Sequence, residues 1–350
     1  MTARRTLLAA ALLLAACGTV LWLWTWRPAP APIANSPVSL VVEKRLQLGT
    51  VPARELAFSR DGLLAMSSAD GRLLVVAPNP DVRRRGGEAR HPGGAAAIAF
   101  SSDGRVLATG GYDGAIRLWA VDGMRLLRRI PIGHGTIWSL DFSPDGARLA
   151  SGGEDRLVRI WNVADGKPLA ALAGHRLNIW KVRFSPDGKW LASSSFDHDI
   201  RLWDAATGRL VRTLQGHSQA VVGLAFSPDG RLLASGSDDS TVRIWRVSDG
   251  APLRTLEAGN HAYDVAFSQD GTRLATSGRA RGAIGTFVYG AIGGISPGDV
   301  VHLWRVSDGA LLAAGKQPDD ALYVAYAPTG DYLATAGEDG SVTFWSIEKR

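Results

Sequence analysis

Serine or threonine, histidine and aspartate recur together four times along this 350-residue chain, at nearly constant spacing. The four sets are His91, Thr109 and Asp113; His134, Ser151 and Asp155; His175, Ser193 and Asp197; and His217, Ser235 and Asp239. One such set is typical of a nucleophilic triad, in which the histidine deprotonates the hydroxyl and the aspartate orients the histidine. An enzyme needs one such site, whereas a repeated fold needs the same group in every unit. The repetition therefore favours a structural role over catalysis.

The segments that carry these residues are repeats of about 42 residues. Each contains a pentapeptide similar to Phe-Ser-Pro-Asp-Gly, and the copies begin at Phe58, Phe100, Phe142, Phe184, Phe226, Phe267 and Tyr326. A tryptophan lies 19 residues after the Phe in repeats 2 to 5, at Trp119, Trp161, Trp203 and Trp245. Short alternating apolar runs separated by Gly, Pro and Asp are typical of strands and tight turns. The repeats predict an all-β domain in which each unit packs on its neighbours.

These landmarks, with the Gly-His pairs that end at His134, His175 and His217, resemble the WD40 repeat family. The resemblance implies a seven-bladed β-propeller, in which each blade is a four-stranded sheet beside a central channel. It also implies that the His, Ser or Thr, and Asp of each set form a structural hydrogen-bond network with the Trp of the same repeat. Because few residues follow Trp345, we predict that residues 38–48 complete the last blade and close the ring.

The amino-terminal segment predicts attachment to a membrane. Residues 6–26 form an uncharged, mostly apolar run that is long enough to cross a bilayer as a helix. The sequence around Cys17 resembles a bacterial lipobox, so lipidation of Cys17 is an alternative to an uncleaved transmembrane anchor, and a cleaved secreted form is a third. Arg4 and Arg5 before the run favour an extracytoplasmic propeller. The predicted organisation is an anchor or signal at 1–27, a Pro/Ala linker at 28–37 and a propeller at 38–350.

Composition argues against several other classes of function. The net charge is +6, but residues 1–37 hold three arginines and no acid, so the propeller has a small positive excess without a concentrated basic stripe. Nucleic-acid binding is therefore not expected. No Gly-rich phosphate loop opens a helix, so we expect no nucleotide cofactor. Asp197-His-Asp199 has residue types that bind metals, but we interpret it as a tight turn. We expect no cofactor, no metal and no small-molecule substrate.

The positions that differ between repeats predict where a partner protein binds. By the WD40 resemblance, the position four residues before the repeat Phe, and the position just before the turn aspartate, open onto the top face of the propeller. The predicted partner-binding residues are Trp138, Trp180, Val222 and Tyr263 at the first position and Tyr112, Glu154, Phe196, Asp238 and Glu338 at the second. An insertion within residues 279–297 of repeat 6 adds Phe287 and Tyr289. Aromatic residues beside acids are typical of interaction hot spots.

The function expected from the sequence is a non-enzymatic scaffold, tethered to a membrane, that presents its top face to partner proteins. Two other functions stay open at this point. One is a ligand-binding or enzymatic propeller with a site in the central channel, and the other is a structural subunit of an envelope complex.

Overall fold

The computed structural model describes residues 32–33, 36–47, 49, 51–77, 89–133, 135–259, 261–279 and 300–349. These residues form 28 β-strands in seven four-stranded antiparallel sheets, and their one helical element is a 3-10 turn at Asp122–Met124. The all-β, seven-bladed propeller predicted from the sequence is confirmed.

The blades are numbered in chain order, and the strands of each blade follow one another from the channel outwards. Blade 1 contains β2 (Ala53–Phe58), β3 (Leu64–Ser68), β4 (Arg72–Val76) and β5 (Ala89–Arg90). Blade 2 contains β6 (Ala95–Phe100), β7 (Val106–Gly111), β8 (Ala115–Ala120) and β9 (Arg125–Pro131). Blade 3 contains β10 (Ile137–Phe142), β11 (Arg148–Gly153), β12 (Leu157–Asn162) and β13 (Pro168–Ala173). Blade 4 contains β14 (Ile179–Phe184), β15 (Trp190–Ser195), β16 (Ile200–Asp204) and β17 (Leu210–Leu214).

The remaining three blades have the same order of strands. Blade 5 contains β18 (Val221–Phe226), β19 (Leu232–Ser237), β20 (Thr241–Arg246) and β21 (Pro252–Glu257). Blade 6 contains β22 (His261–Phe267), β23 (Arg273–Arg279), β24 (Val301–Arg305) and β25 (Leu311–Gly315). Blade 7 contains β26 (Ala321–Tyr326), β27 (Tyr332–Gly337), β28 (Ser341–Lys349) and β1 (Val38–Gln47).

The first strands of the seven blades line a central channel. Each of these inner strands contacts the inner strand of the next blade, and β26 of blade 7 contacts β2 of blade 1, so the ring is closed. All of them enter the channel at one face and leave it at the other. We call the face at which the inner strands begin the top face, and the face at which they end the bottom face.

The ring is closed by a strand from the opposite end of the chain. β1 pairs antiparallel with β28, from Val38 opposite Lys349 to Gln47 opposite Ser341, with a bulge between Val42 and Lys44. Val38 is buried in the same cluster as Trp345. The pairing covers the edge that β28 would otherwise expose, which is a common hazard of open sheets.

The repeated pentapeptide forms the turn between the first two strands of a blade. In blade 4, the Ser185 hydroxyl donates to Asp187 at 2.6 Å, and it accepts from the Trp190 backbone N–H at 2.9 Å. Gly188 follows with a φ of 71°, a left-handed conformation that glycine adopts without strain. This local network explains why Ser, Asp and Gly recur together, and it places every such turn on the bottom face.

Neighbouring blades bury their apolar residues against each other. Between blades 3 and 4, for example, Val158 and Ile160 pack in one cluster with Val182, Leu191 and Trp203. The outermost strands are more exposed, and Leu169 and Leu253 remain open to solvent there. The core is therefore divided into layers between blades, as expected when no unit can bury its own apolar face alone.

The predicted membrane anchor at residues 6–26, with Cys17, lies outside the described residues. Within the described ranges, no helix has the length and apolar character needed to span a bilayer.

Candidate functional site

Three of the four His-containing sets form a hydrogen-bond chain inside their blades. In blade 4, Trp203 Nε1 donates to Ser193 Oγ at 2.9 Å, and Ser193 Oγ lies 2.8 Å from His175 Nε2. The other ring nitrogen of His175 lies 3.0 Å from Asp197 Oδ2. The equivalent residues are Trp245, Ser235, His217 and Asp239 in blade 5 and Trp119, Thr109, His91 and Asp113 in blade 2.

The electrostatics of these sets suit a structural network. Burial opposes ionisation of Asp197, but hydrogen bonds from His175, the Arg176 backbone N–H and Arg201 hold the pKa of this carboxyl well below its usual range. The carboxylate therefore stays charged at neutral pH and fixes the histidine ring. The Ser193 hydroxyl is completely buried between its two partners, so it is not accessible to a substrate.

The top face carries a continuous cluster of aromatic rings, which we call the aromatic cluster. Trp138 and Trp180 stack with their ring centroids 5.1 Å apart and an interplanar angle of 15°. Edge-to-face contacts extend the cluster to both sides, through Tyr112 on Trp138, Phe196 and Tyr263 on Trp180, and Tyr323 on Tyr263. Rings from blades 2, 3, 4, 6 and 7 thus meet at the top of the channel.

The rings differ in their exposure. Trp138, Trp180, Tyr112 and Phe196 are half-buried, whereas Tyr263 and Tyr323 are buried beneath them. The Nε1 of Trp138 is buried and has no hydrogen-bond partner among the described residues. The accessible part of the cluster is therefore centred on the two stacked tryptophans.

The other predicted top-face residues have separate environments. Val222 is buried and does not present a surface. Glu154 is exposed and accepts from the Thr136 backbone N–H at 2.9 Å. Asp238 lies 3.3 Å from His261, and Glu338 lies 2.9 Å from Arg279. Phe287 and Tyr289 lie outside the described residues.

Beneath the aromatic cluster, the channel contains a layer of charged side chains that are buried or partly buried. Lys181 Nζ of blade 4 lies 2.7 Å from Glu55 Oε1 of blade 1 and 3.8 Å from Asp264 Oδ1 of blade 6. Arg183 Nη2 lies 3.4 Å from the same Glu55 oxygen. Asp141 of blade 3 lies lower on the same inner wall and accepts from the Phe184 backbone N–H at 2.6 Å.

This cluster of charges is missing from the sequence-based prediction, although the sequence holds a signal for it. Glu55, Lys181 and Asp264 all lie three residues before the repeat Phe. Repeats 2, 3 and 5 have small residues at that position, namely Ala97, Ser139 and Gly223. Comparing the repeats position by position therefore reveals the charged exceptions. Only the closed ring of the structure shows that these three residues meet across the channel.

The family model described as "WD domain, G-beta repeat" matches the chain five times. The matched residues are 89–120, 125–162, 166–204, 208–246 and 316–346, which together make up just over half of the chain. The chain belongs to the WD40 family. No curated protein is similar enough to the chain to count as a match.

The matched WD40 repeats do not all carry the full hydrogen-bond network. In blade 3, Trp161 donates to Ser151 at 2.9 Å and Asp155 pairs with Arg159, but His134 lies outside the described residues. In blade 7, Gln317 takes the place of the histidine, with its Oε1 2.8 Å from Thr335 Oγ1, the acceptor for Trp345 Nε1. Gln317 is also missing from the sequence-based prediction, although it lies 18 residues before Thr335, as His91 lies before Thr109.

The Asp197-His-Asp199 segment lies in the turn after β15 of this WD40 ring. His198 adopts a φ of 73° there, which is typical of a tight turn. Both aspartates pair with Arg201, and Asp199 also accepts from Gln215. The carboxylates are thus committed to partners within the protein.

Proposed function

We propose that this WD40 protein is a membrane-tethered, non-enzymatic scaffold that binds partner proteins with its top face. WD40 propellers are commonly scaffolds for protein interactions, and the observation that carries the proposal is the aromatic cluster. Large aromatic side chains that are partly buried around a channel mouth supply much contact area at a low cost in side-chain entropy.

The non-enzymatic part of the proposal is supported by the His, Ser or Thr, and Asp sets. In blades 2, 4 and 5 their hydroxyls are buried and already hydrogen-bonded to the Trp and His of the same blade. The same arrangement in several blades is what a structural device requires, because each blade must satisfy its own buried polar groups.

Replacing Trp138 and Trp180 together by alanine is expected to reduce recovery of partner proteins at least tenfold. Each tryptophan at the centre of an interface is worth about 2 kcal/mol or more, and about 1.4 kcal/mol corresponds to a factor of ten. The measurement is affinity purification of the full chain after cross-linking, with quantitative mass spectrometry.

The matched control is Leu169→Ala combined with Leu253→Ala, which removes exposed apolar side chains from outer strands far from the channel mouth. This control is expected to recover the same partners as the unchanged protein. A cooperative thermal transition shows whether each variant keeps the folded propeller. If the folded double tryptophan variant recovers every partner in unchanged amount, top-face docking is wrong.

The tether is proposed from residues 6–26, and the basic Arg4 and Arg5 favour an extracytoplasmic propeller. The full chain is expected to stay with membranes after washing in alkaline carbonate. Incorporation of a labelled fatty acid that is lost in Cys17→Ala is expected if Cys17 carries the lipid, and no incorporation is expected if residues 6–26 span the bilayer unmodified. A chain found only in the soluble fraction would contradict both forms of the tether.

A further inference from the structure

The lower half of the channel forms an open cavity of about 410 Å³. Its lining comes from the ends of the inner strands and from the turns that follow them, so it opens at the bottom face, opposite the aromatic cluster. Exposed Pro144, Pro186 and Gln269 lie at its rim. Its volume lies within the range of pockets that hold small molecules in proteins.

The cavity is separated from the top face by buried groups. Lys181 bonds to Glu55 at 2.7 Å and lies 4.7 Å from the centroid of the Tyr323 ring. Above this level Trp180 of blade 4 contacts Tyr263 of blade 6 across the channel. A ligand in the lower cavity would therefore enter from the bottom face.

Arg183 in the lining of the cavity and Lys181 beside it are both already engaged with the protein. Lys181 has Glu55 as its close partner. Arg183 donates from Nη1 to the Val182 carbonyl oxygen at 2.9 Å and to Ser139 Oγ at 3.2 Å, and its Nη2 lies 3.4 Å from Glu55. Glu55 is thus shared by both cations.

Two carboxylates, by contrast, line the cavity without a cation at hydrogen-bond distance in the described part of the chain. Asp264 is almost fully buried, and its nearest cation among the described residues is Lys181 at 3.8 Å. Asp141 accepts a hydrogen bond from the Phe184 backbone N–H and forms no ion pair within 4.0 Å in the described part of the chain. In this part of the channel, three acids therefore face two cations, namely Glu55, Asp141 and Asp264 against Lys181 and Arg183. The imbalance favours a positively charged ligand.

The rest of the lining sets the shape of that ligand. Leu56, Leu224, Phe226 and Val324 give the cavity apolar walls between the two carboxylates. We propose that the lower channel binds a small organic cation, an alkylammonium or alkylguanidinium ion, with Asp141 and Asp264 as its counter-ions. This site is independent of docking at the top face.

Binding of such a cation is expected to depend on pH. Burial raises the pKa of Asp141 to about 6, with Arg183 opposing the shift, and burial also raises the pKa of Asp264. The other charged groups that face them are Glu55, Lys181 and Arg183. Because the cation binds the ionised carboxylate, lowering the pH from 7.5 to 5.0 is expected to weaken binding about tenfold, as the ionised fraction falls.

The test compares butylguanidinium with butylurea, a neutral molecule of nearly the same shape, by isothermal titration calorimetry on the full chain. Butylguanidinium is expected to bind at least tenfold more tightly than butylurea at pH 7.5. Asp141→Asn keeps an acceptor for the Phe184 N–H and is expected to lower the affinity at least tenfold. Asp165→Asn, at an exposed turn, is the matched control and is expected to leave the affinity unchanged.

Equal binding of the charged and neutral probes, or no binding of butylguanidinium at 10 mM, would overturn the proposal. So would an unchanged affinity in Asp141→Asn. If that variant does not fold, the pH series on the unchanged protein decides, because binding that is equal at pH 7.5 and 5.0 excludes a carboxylate counter-ion. A capped Gly-Arg-Gly peptide distinguishes the two sources of the cation. Binding of the peptide indicates that the cavity admits the arginine side chain of a partner, and no binding indicates a free small molecule.

Discussion

Replacing Ser193 by alanine is expected to lower the free energy of unfolding of the propeller by about 2–4 kcal/mol. The Ser193 hydroxyl is the shared partner of His175 Nε2 and Trp203 Nε1, and all three groups are buried. Alanine leaves both nitrogens without a partner, and each unsatisfied buried group costs about 1–3 kcal/mol. Urea unfolding followed by tryptophan fluorescence measures the change.

Two further variants separate the network from a general effect of substitution. Ser193→Thr keeps the hydroxyl and is expected to cost less than Ser193→Ala, because Thr109, Thr276 and Thr335 accept from a Trp Nε1 in blades 2, 6 and 7. Exposed Ser102→Ala is expected to change the stability by less than about 0.5 kcal/mol. Equal urea concentrations at the unfolding midpoints of Ser193→Ala and Ser102→Ala would show that the network adds no stability.

Deleting residues 38–47 is expected to abolish the cooperative melt of the ring. The deletion removes the whole of β1, exposes the edge of β28 and takes Val38 out of the cluster that contains Trp345. Because a domain has only about 5–15 kcal/mol of net stability, the loss of one complete strand from the closing blade is a large part of the total. Circular dichroism during heating measures the transition.

The matched control is a chain that lacks residues 1–31 but keeps β1. It is expected to melt at the same temperature as the full chain, which is kept in a suitable detergent if needed. A chain without residues 38–47 that melts at the same temperature and with the same steepness as this control would mean that blade 7 does not need β1.

The architecture was predictable from the sequence because its determinants are local and repeated. The Ser-x-Asp-Gly turn, seen in Ser185 to Gly188, satisfies its own hydrogen bonds within five residues of chain. The Trp, Ser and His of one blade are likewise separated by at most 28 residues, as His175 is from Trp203. Such patterns survive in a single sequence and indicate both strand order and blade number.

The channel was not predictable in the same way, because its contacts join distant blades. Glu55 and Lys181 are 126 residues apart, and no local pattern states that they meet. The stacking of Trp138 on Trp180 follows from their equal positions in neighbouring repeats, but the contact of Trp180 with Tyr263 skips a blade. Which side chains meet across the ring depends on their length and on the size of the closed channel.

The pairing of β1 with β28 also has a consequence for how the protein is made. Arg45 and Asp339, an ion pair within this sheet, are separated by 294 residues. At about 5–20 residues per second, a ribosome needs roughly 15–60 s to synthesise that interval. During this time β1 has no strand to pair with, and blade 7 forms only after β28 has been synthesised. A chain that ends before residue 341 would therefore lack β28 and leave the edges of β1 and β27 unpaired, where they can pair with other chains.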